Sequence, residues 1–155
     1  MIALLRIDDK LIHAQMIWGW VRALGSSSIV VVNDEAAHDE LRRELLIMAG
    51  AHLNVRILSL EEAVRDLMCH EESQEKSIVV VSKPADVVYL IENGVPVKSV
   101  SVGWMSFFPG KKRILETVSV DEKDIEAFRK LIGKGIAVKY QASPSDTQLD
   151  MADCI

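Results

Sequence analysis

Short unbroken apolar runs alternate with segments in which apolar residues recur every three or four positions. The runs Met1–Ile7, Ser28–Val32, Asn54–Leu58, Ser77–Val81 and Val97–Val102 read as strands, and Ile136–Tyr140 as a last one. Two of them spell the same Ser-Ile-Val-Val-Val. A run without polar alternation suits a strand covered on both faces, as in a parallel sheet. Between the runs, Ile12, Met16, Trp20 and Leu24 share one helical face, with Gly25 as a stop. Leu41, Leu45 and Met48 repeat that spacing before Gly50 and are expected to be core. Ser59-Leu60-Glu61-Glu62 opens a third helix with a capping box. Pro84 suits the first turn of a fourth, which stops at Gly94. Ser119-Val120-Asp121-Glu122 reads as another capping box, ahead of Ile125, Phe128, Leu131 and Ile132. This alternation predicts an α/β fold: a three-layer open sheet, mostly parallel, of about seven strands, with helices on both faces. Gly103–Lys112 interrupts it with a loop carrying aromatics, and Arg113–Glu116 is expected to return as a hairpin, making the sheet mixed there. Glu71–Lys76 is a polar connection and Asp146–Asp153 an acidic tail, so one domain over 1–155 is expected.

Composition narrows the function classes. The chain of 155 residues is 49% hydrophobic and 26% charged, which is globular, and its net charge of −5 argues against a nucleic acid partner. No apolar run is long enough to cross a bilayer, and the first residues show no basic leader, so a cytoplasmic location is expected. Cys69 and Cys154 stand outside any motif and read as free thiols.

The chemistry concentrates after the first strand. Arg6-Ile7-Asp8-Asp9-Lys10-Leu11-Ile12-His13-Ala14-Gln15 places two carboxylates, two cations and an imidazole within a few residues, just before a helix start. Ligands of open α/β sheets bind beyond the carboxyl ends of strands, and a helix N-terminus favours anions. A carboxylate beside His13 would fix its tautomer and leave the other nitrogen as a nucleophile, with Lys10 or Arg6 facing an incoming phosphoryl group. Against this stands the plainer reading of His13 as a half-exposed histidine at a helix start. No glycine-rich phosphate loop follows the strand, and no G-x-S-x-G turn occurs. Asp8 and Asp9 find no histidine pair spaced to complete a metal site, so neither metal nor cofactor is expected.

The stretch Arg6–Gln15 closely resembles the R-I-D-D-R-L-I-H-G-Q signature of the B component of the mannose/fructose/sorbose-type bacterial sugar phosphotransferase system. Similarity continues in Val31–Glu35, Val100–Phe107 and Val118–Leu131, so it covers nearly the whole chain. The resemblance implies a phosphoryl carrier that accepts from a phosphorylated A component and passes the group to a sugar held by membrane C and D components. It implies His13 as the phosphorylated residue and Asp8 as the group that orients it. Lys10 would face the phosphoryl group, where the family usually has arginine. Arg6, Asp9, Ala14 and Gln15 would frame the site. Arg42 would lie on the A-component docking surface, and Ser106 and Phe107 on the flanking loop. Members of the family often pair, which leaves a homodimer open. The chain departs from the pattern at Lys10, Ala14 (for glycine) and Trp104 (for a small residue). These departures motivate a second reading, a regulatory or binding module of an incomplete phosphotransfer chain. A third is an unrelated small α/β enzyme acting on a phosphorylated ligand through Asp8, Asp9 and His13.

Overall fold

The computed structural model describes residues 1–70 and 72–155. Glu71, the first residue of the expected polar connection, lies outside the described residues. Seven strands form one sheet in the order β3-β2-β4-β1-β5-β8-β9. They are β1 (Ile2–Asp8), β2 (Ser28–Val32), β3 (Asn54–Leu58), β4 (Ser77–Val81), β5 (Ser99–Trp104), β8 (Ala137–Tyr140) and β9 (Leu149–Asp150). Pairing is parallel throughout except for β8 with β9.

Alternate residues of the central strands serve two separate cores, because successive side chains point to opposite faces. Ile29 and Val31 of β2 and Ile78 and Val80 of β4 face one way. They meet Met16, Trp20 and Val21 of α1, which is wound as a π-helix over Met16–Val21 and finishes in one α-turn at Arg22–Leu24. Also on this face are α2 (Asp34–His38), through Ala36, and α3 (Glu40–Ala49), through Leu46. Val30, Val32, Val79 and Val81 face the other way, onto α4 (Leu60–Cys69), α5 (Pro84–Glu92) and α6 (Glu122–Gly133), which supply Leu67, Leu90, Phe128 and Leu131. A strand buried on both faces favours apolar residues at successive positions, which is why Ile-Val-Val-Val follows the buried serine in both runs.

Several expectations are corrected. The antiparallel member of the main sheet is β9, formed by the acidic tail and tied to β8 by Lys139 Nζ–Asp150 Oδ2 at 3.0 Å. The Arg113–Glu116 return instead builds a separate two-stranded hairpin, β6 (Lys112–Leu115) with β7 (Val118–Val120). The last helix is capped by Asp121, in a reciprocal box with Asp124, rather than by Ser119, which is taken up in β7. The largest difference is on α3. Leu41, Leu45 and Met48 are 67%, 56% and 74% exposed, and Leu46 is the residue that packs inward. Periodicity marks an apolar face but not what covers it. Here the inward face is that of Leu46, with Arg43 donating to the Ile57 carbonyl.

The first loop lies where the topology reverses. From β1 the chain crosses to α1 on one face, whereas from the adjacent β4 it crosses to α5 on the other. That divergence opens a crevice at the carboxyl ends of the two strands, the usual ligand position in such sheets.

Candidate functional site

Asp8 ends β1 and organises the loop. It is 1% exposed, and its Oδ1 accepts the Lys10 backbone N–H at 3.1 Å while its backbone carbonyl accepts that of Leu11 at 3.0 Å. An aspartate that bonds the backbone two residues on closes a tight turn. Leu11 completes the turn with φ of +59°, an uncommon conformation for leucine, and its side chain is buried. The turn delivers His13 back over Asp8, with Nε2 at 2.9 Å from Asp8 Oδ2. With Nε2–H donating to the carboxylate, Nδ1 carries the free lone pair. The imidazole is about one-fifth exposed.

Beneath the dyad, Arg6 is 3% exposed, with Nε 3.7 Å from Asp8 Oδ2. Its Nη1 donates to Ser101 Oγ at 2.8 Å and the Gln141 carbonyl at 2.9 Å, and Nη2 donates to the Ala142 carbonyl at 3.0 Å. Trp20 stacks on it, 4.7 Å from ring centroid to guanidinium carbon. Burial pushes the Arg6 guanidinium down from its ordinary value, and the Asp8 carboxylate opposes that shift. Gly103 makes the space, since a Cβ there would overlap the guanidinium. The structure thus places Arg6 under the loop, bonded to β5, the segment after β8 and α1, rather than at the surface facing an anion.

Asp9 turns the other way. Its carboxylate accepts Ser106 N–H at 2.7 Å and Ser106 Oγ–H at 2.8 Å, and its backbone N–H donates to the Trp104 carbonyl at 3.0 Å. These bonds pin the start of the aromatic loop beside the histidine turn, leaving Phe107 and Phe108 63% and 55% exposed. The exposed Lys10 lays its ammonium 3.5 Å from the Trp104 ring centroid.

Two clefts flank this ridge. One, of 430 Å³, is lined by Arg6, Asp8, Gln15, Trp104, Arg113 and Thr117 among others. The other, of 460 Å³, is lined by Asp9, Lys10, Arg42, Lys83, Ser106 and Phe108 among others. The fold therefore brings Arg42 of α3 to the same cleft as Lys10, where it also contacts Glu35 at 3.5 Å. Ala14 is exposed and helical, and the positive φ of the loop falls at Leu11 instead. The second cation on the Asp8 side, Arg113, was not foreseen. Neither was the clamp on Arg6 by Ser101, Gln141 and Gly103. A glycine inside a strand does signal a close approach, and Gly103 was the one readable sign of the clamp.

An imidazole held by a buried carboxylate at the mouth of a parallel sheet, with cations and aromatics on the neighbouring loops, is a layout suited to group transfer. The sequence matches the family model described as PTS system sorbose subfamily IIB component over residues 2–155, and the chain belongs to that family. It is 39% identical to the PTS system mannose-specific EIIAB component of Escherichia coli strain K12, across 99% of this chain but 48% of that protein. The chain thus spans about half the length of that relative. It is 34% identical to the PTS system fructose-specific EIIB component of Bacillus subtilis, covering 99% of this chain and 95% of that one. The fold matches the crystal structure of the IIBSor domain of the sorbose permease from Klebsiella pneumoniae with a TM-score of 0.92 at 34% identity, over 99% of this chain and 94% of that one. Among the described residues no helix is long and apolar enough to cross a membrane.

Proposed function

We propose that the chain is a phosphoryl carrier of a sugar phosphotransferase system, with His13 as the acceptor through Nδ1. The contact of His13 Nε2 with the buried Asp8 carboxylate carries this reading, because it leaves Nδ1 as the free nucleophile. The Nδ1 lone pair attacks the phosphorus of a phosphohistidine on an A-type protein. The donor P–N bond breaks, and its electron pair returns to the donor imidazole. Asp8 stabilises the cationic phosphoimidazole through Nε2–H, as a buried carboxylate does for an imidazolium. In the second half a sugar hydroxyl attacks the same phosphorus, the Nδ1–P bond breaks, and the hydroxyl proton leaves to solvent. A relay between two imidazoles is close to energetically neutral, so positioning and charge neutralisation suffice. Lys10 and Arg42 line one cleft and serve as the cations facing the donor surface. Gln15, Ser106 and Phe107 frame the approach, and Asp9 and Arg6 hold the frame. The sugar is presented by membrane C and D partners, which the carrier meets from the cytoplasmic side.

The test is incubation with a phosphorylated A-type protein, read by mass spectrometry under conditions that preserve phosphohistidine. An acid-labile, base-stable adduct appears on His13 and is lost in His13→Ala. Its absence from the wild type overturns the proposal. One alternative is a regulatory module that accepts the group and passes little of it to sugar. That reading predicts a stable adduct with no sugar-dependent turnover when C and D partners are supplied.

A further inference from the structure

Lys10 and Trp104 meet in one contact: the Lys10 ammonium lies 3.5 Å from the Trp104 ring centroid. We infer that Trp104 is a positioning residue, whose ring holds the Lys10 ammonium at the ridge beside His13 so that a flexible lysine does the work of an arginine fork. The inference rests on the proposed carrier function.

Both partners are fixed at the backbone. Lys10 N–H is bonded to the same Asp8 carboxylate that orients His13, and the Trp104 carbonyl accepts the N–H of Asp9. What remains loose is the four-carbon stem of Lys10. Lysine and arginine are equally rich in rotamers, but lysine offers a point charge, whereas a guanidinium comes with its donors already fanned. A cation over the face of a tryptophan is attracted by the ring quadrupole. The ring therefore narrows the positions of the ammonium before any phosphoryl group arrives. Trp104 also lines the cleft on the Asp8 side while Lys10 lines the one on the Asp9 side, so the pair forms the divide between them. The phosphoryl group comes to His13 beside this divide, and a held ammonium can neutralise it without first being ordered. A lysine paired with a glycine at the position of Trp104 would lack this restraint.

The experiment measures single-turnover transfer from a phosphorylated A-type protein to wild type, Trp104→Leu and Trp104→Phe, each with Lys10 and with Lys10→Met. Loss of a cation–π contact at an exposed site corresponds to about a 2- to 5-fold change. Trp104→Leu slows transfer by that factor at saturating donor, Trp104→Phe restores most of the rate, and the effect of Trp104→Leu vanishes in Lys10→Met. A reading independent of transfer accompanies it: the Lys10 ε-methylene protons are shifted upfield by the ring in wild type and return to random-coil positions in Trp104→Leu. An equal loss in both Lys10 backgrounds, a change confined to the KM for the donor, or faster transfer in Trp104→Leu each overturns the inference while leaving the carrier function standing. Failure of wild type to take any phosphoryl group on His13 overturns the carrier function, and the inference with it.

Discussion

Asp8 and Asp9 are neighbours with the same side chain, and the fold gives them opposite tasks. Asp8 points into the protein, between the His13 imidazole and the Arg6 guanidinium, and is almost wholly buried. Asp9 points across to the aromatic loop and holds Ser106 by backbone and hydroxyl together. Alternation along a strand end is enough to separate them. The consequence is a division of labour. One carboxylate bonds the His13 ring, the acceptor under the proposed function, and the other shapes the aromatic loop beside it. The two tasks are joined through one peptide bond.

The sharpest break of that division is Asp8→Asn. The amide oxygen stays on the Lys10 N–H, at the Oδ1 position, which turns the NH2 toward His13 Nε2 at the Oδ2 position. The imidazole proton then moves to Nδ1 and the nucleophilic lone pair is lost. Transfer is expected to fall by about 10²-fold or more, with the tautomer change visible in the ¹⁵N shifts of His13. The same variant strips the buried Arg6 of its counter-charge, and denaturant unfolding should report a loss of about 3 kcal/mol. Gly103→Ala tests the same half from below. Its methyl displaces the Arg6 guanidinium, which costs about 2 kcal/mol in the same measurement.

Asp9→Ala should act on the other half. Two hydrogen bonds to Ser106 are lost, at about 1 kcal/mol each. Hydrogen exchange at the Ser106 amide and its neighbours should accelerate, while the His13 tautomer is unchanged and transfer falls less than about 10-fold. Equal losses of transfer in Asp8→Asn and Asp9→Ala would erase the distinction between the two carboxylates. The smallest effect is expected away from both. Leu45→Gln on the exposed face of α3 should shift stability by no more than about 0.5 kcal/mol. The adjacent Leu46→Ala, which empties a buried position, should cost about 2–4 kcal/mol.

That last pair bears on what was legible beforehand. Strands β1 to β5 and β8 were readable to within a residue or two, because runs of β-branched residues without polar alternation have few other uses. The caps at Ser59 and Pro84 were readable because an N-terminus has a local chemical need, and Ser59 does accept the N–H of Glu62. The failures share one cause, which is that a partner far along the chain decided the outcome. Leu41, Leu45 and Met48 have the same spacing as the buried residues of α1, yet no layer was laid over them. The two residues of β9 have no propensity signal of their own and become a strand only because Lys139 and Tyr140 lie opposite. The π winding of Met16–Val21, which buries Met16, Trp20 and Val21 together, left no readable mark either.

At the site, the local part was legible and the long-range part was not. The spacing from Asp8 to His13 is a turn's length, so their meeting follows from the loop itself. The Arg6 clamp draws on Ser101, Gln141 and Ala142, and the Lys10 platform is Trp104, all about a hundred residues or more away in a chain of 155.

The sequence by itself determined the layered α/β architecture, the family and the identity of the acceptor candidate, because each rests on local periodicity or on a contiguous motif. Only the tertiary structure decided that Arg6 is a buried anchor, that Asp9 and Ser106 strap the aromatic loop, and that Lys10 rests on Trp104. These depend on the parallel register of β1 beside β5, and a register is set by how whole strands and helices pack rather than by any short stretch of residues.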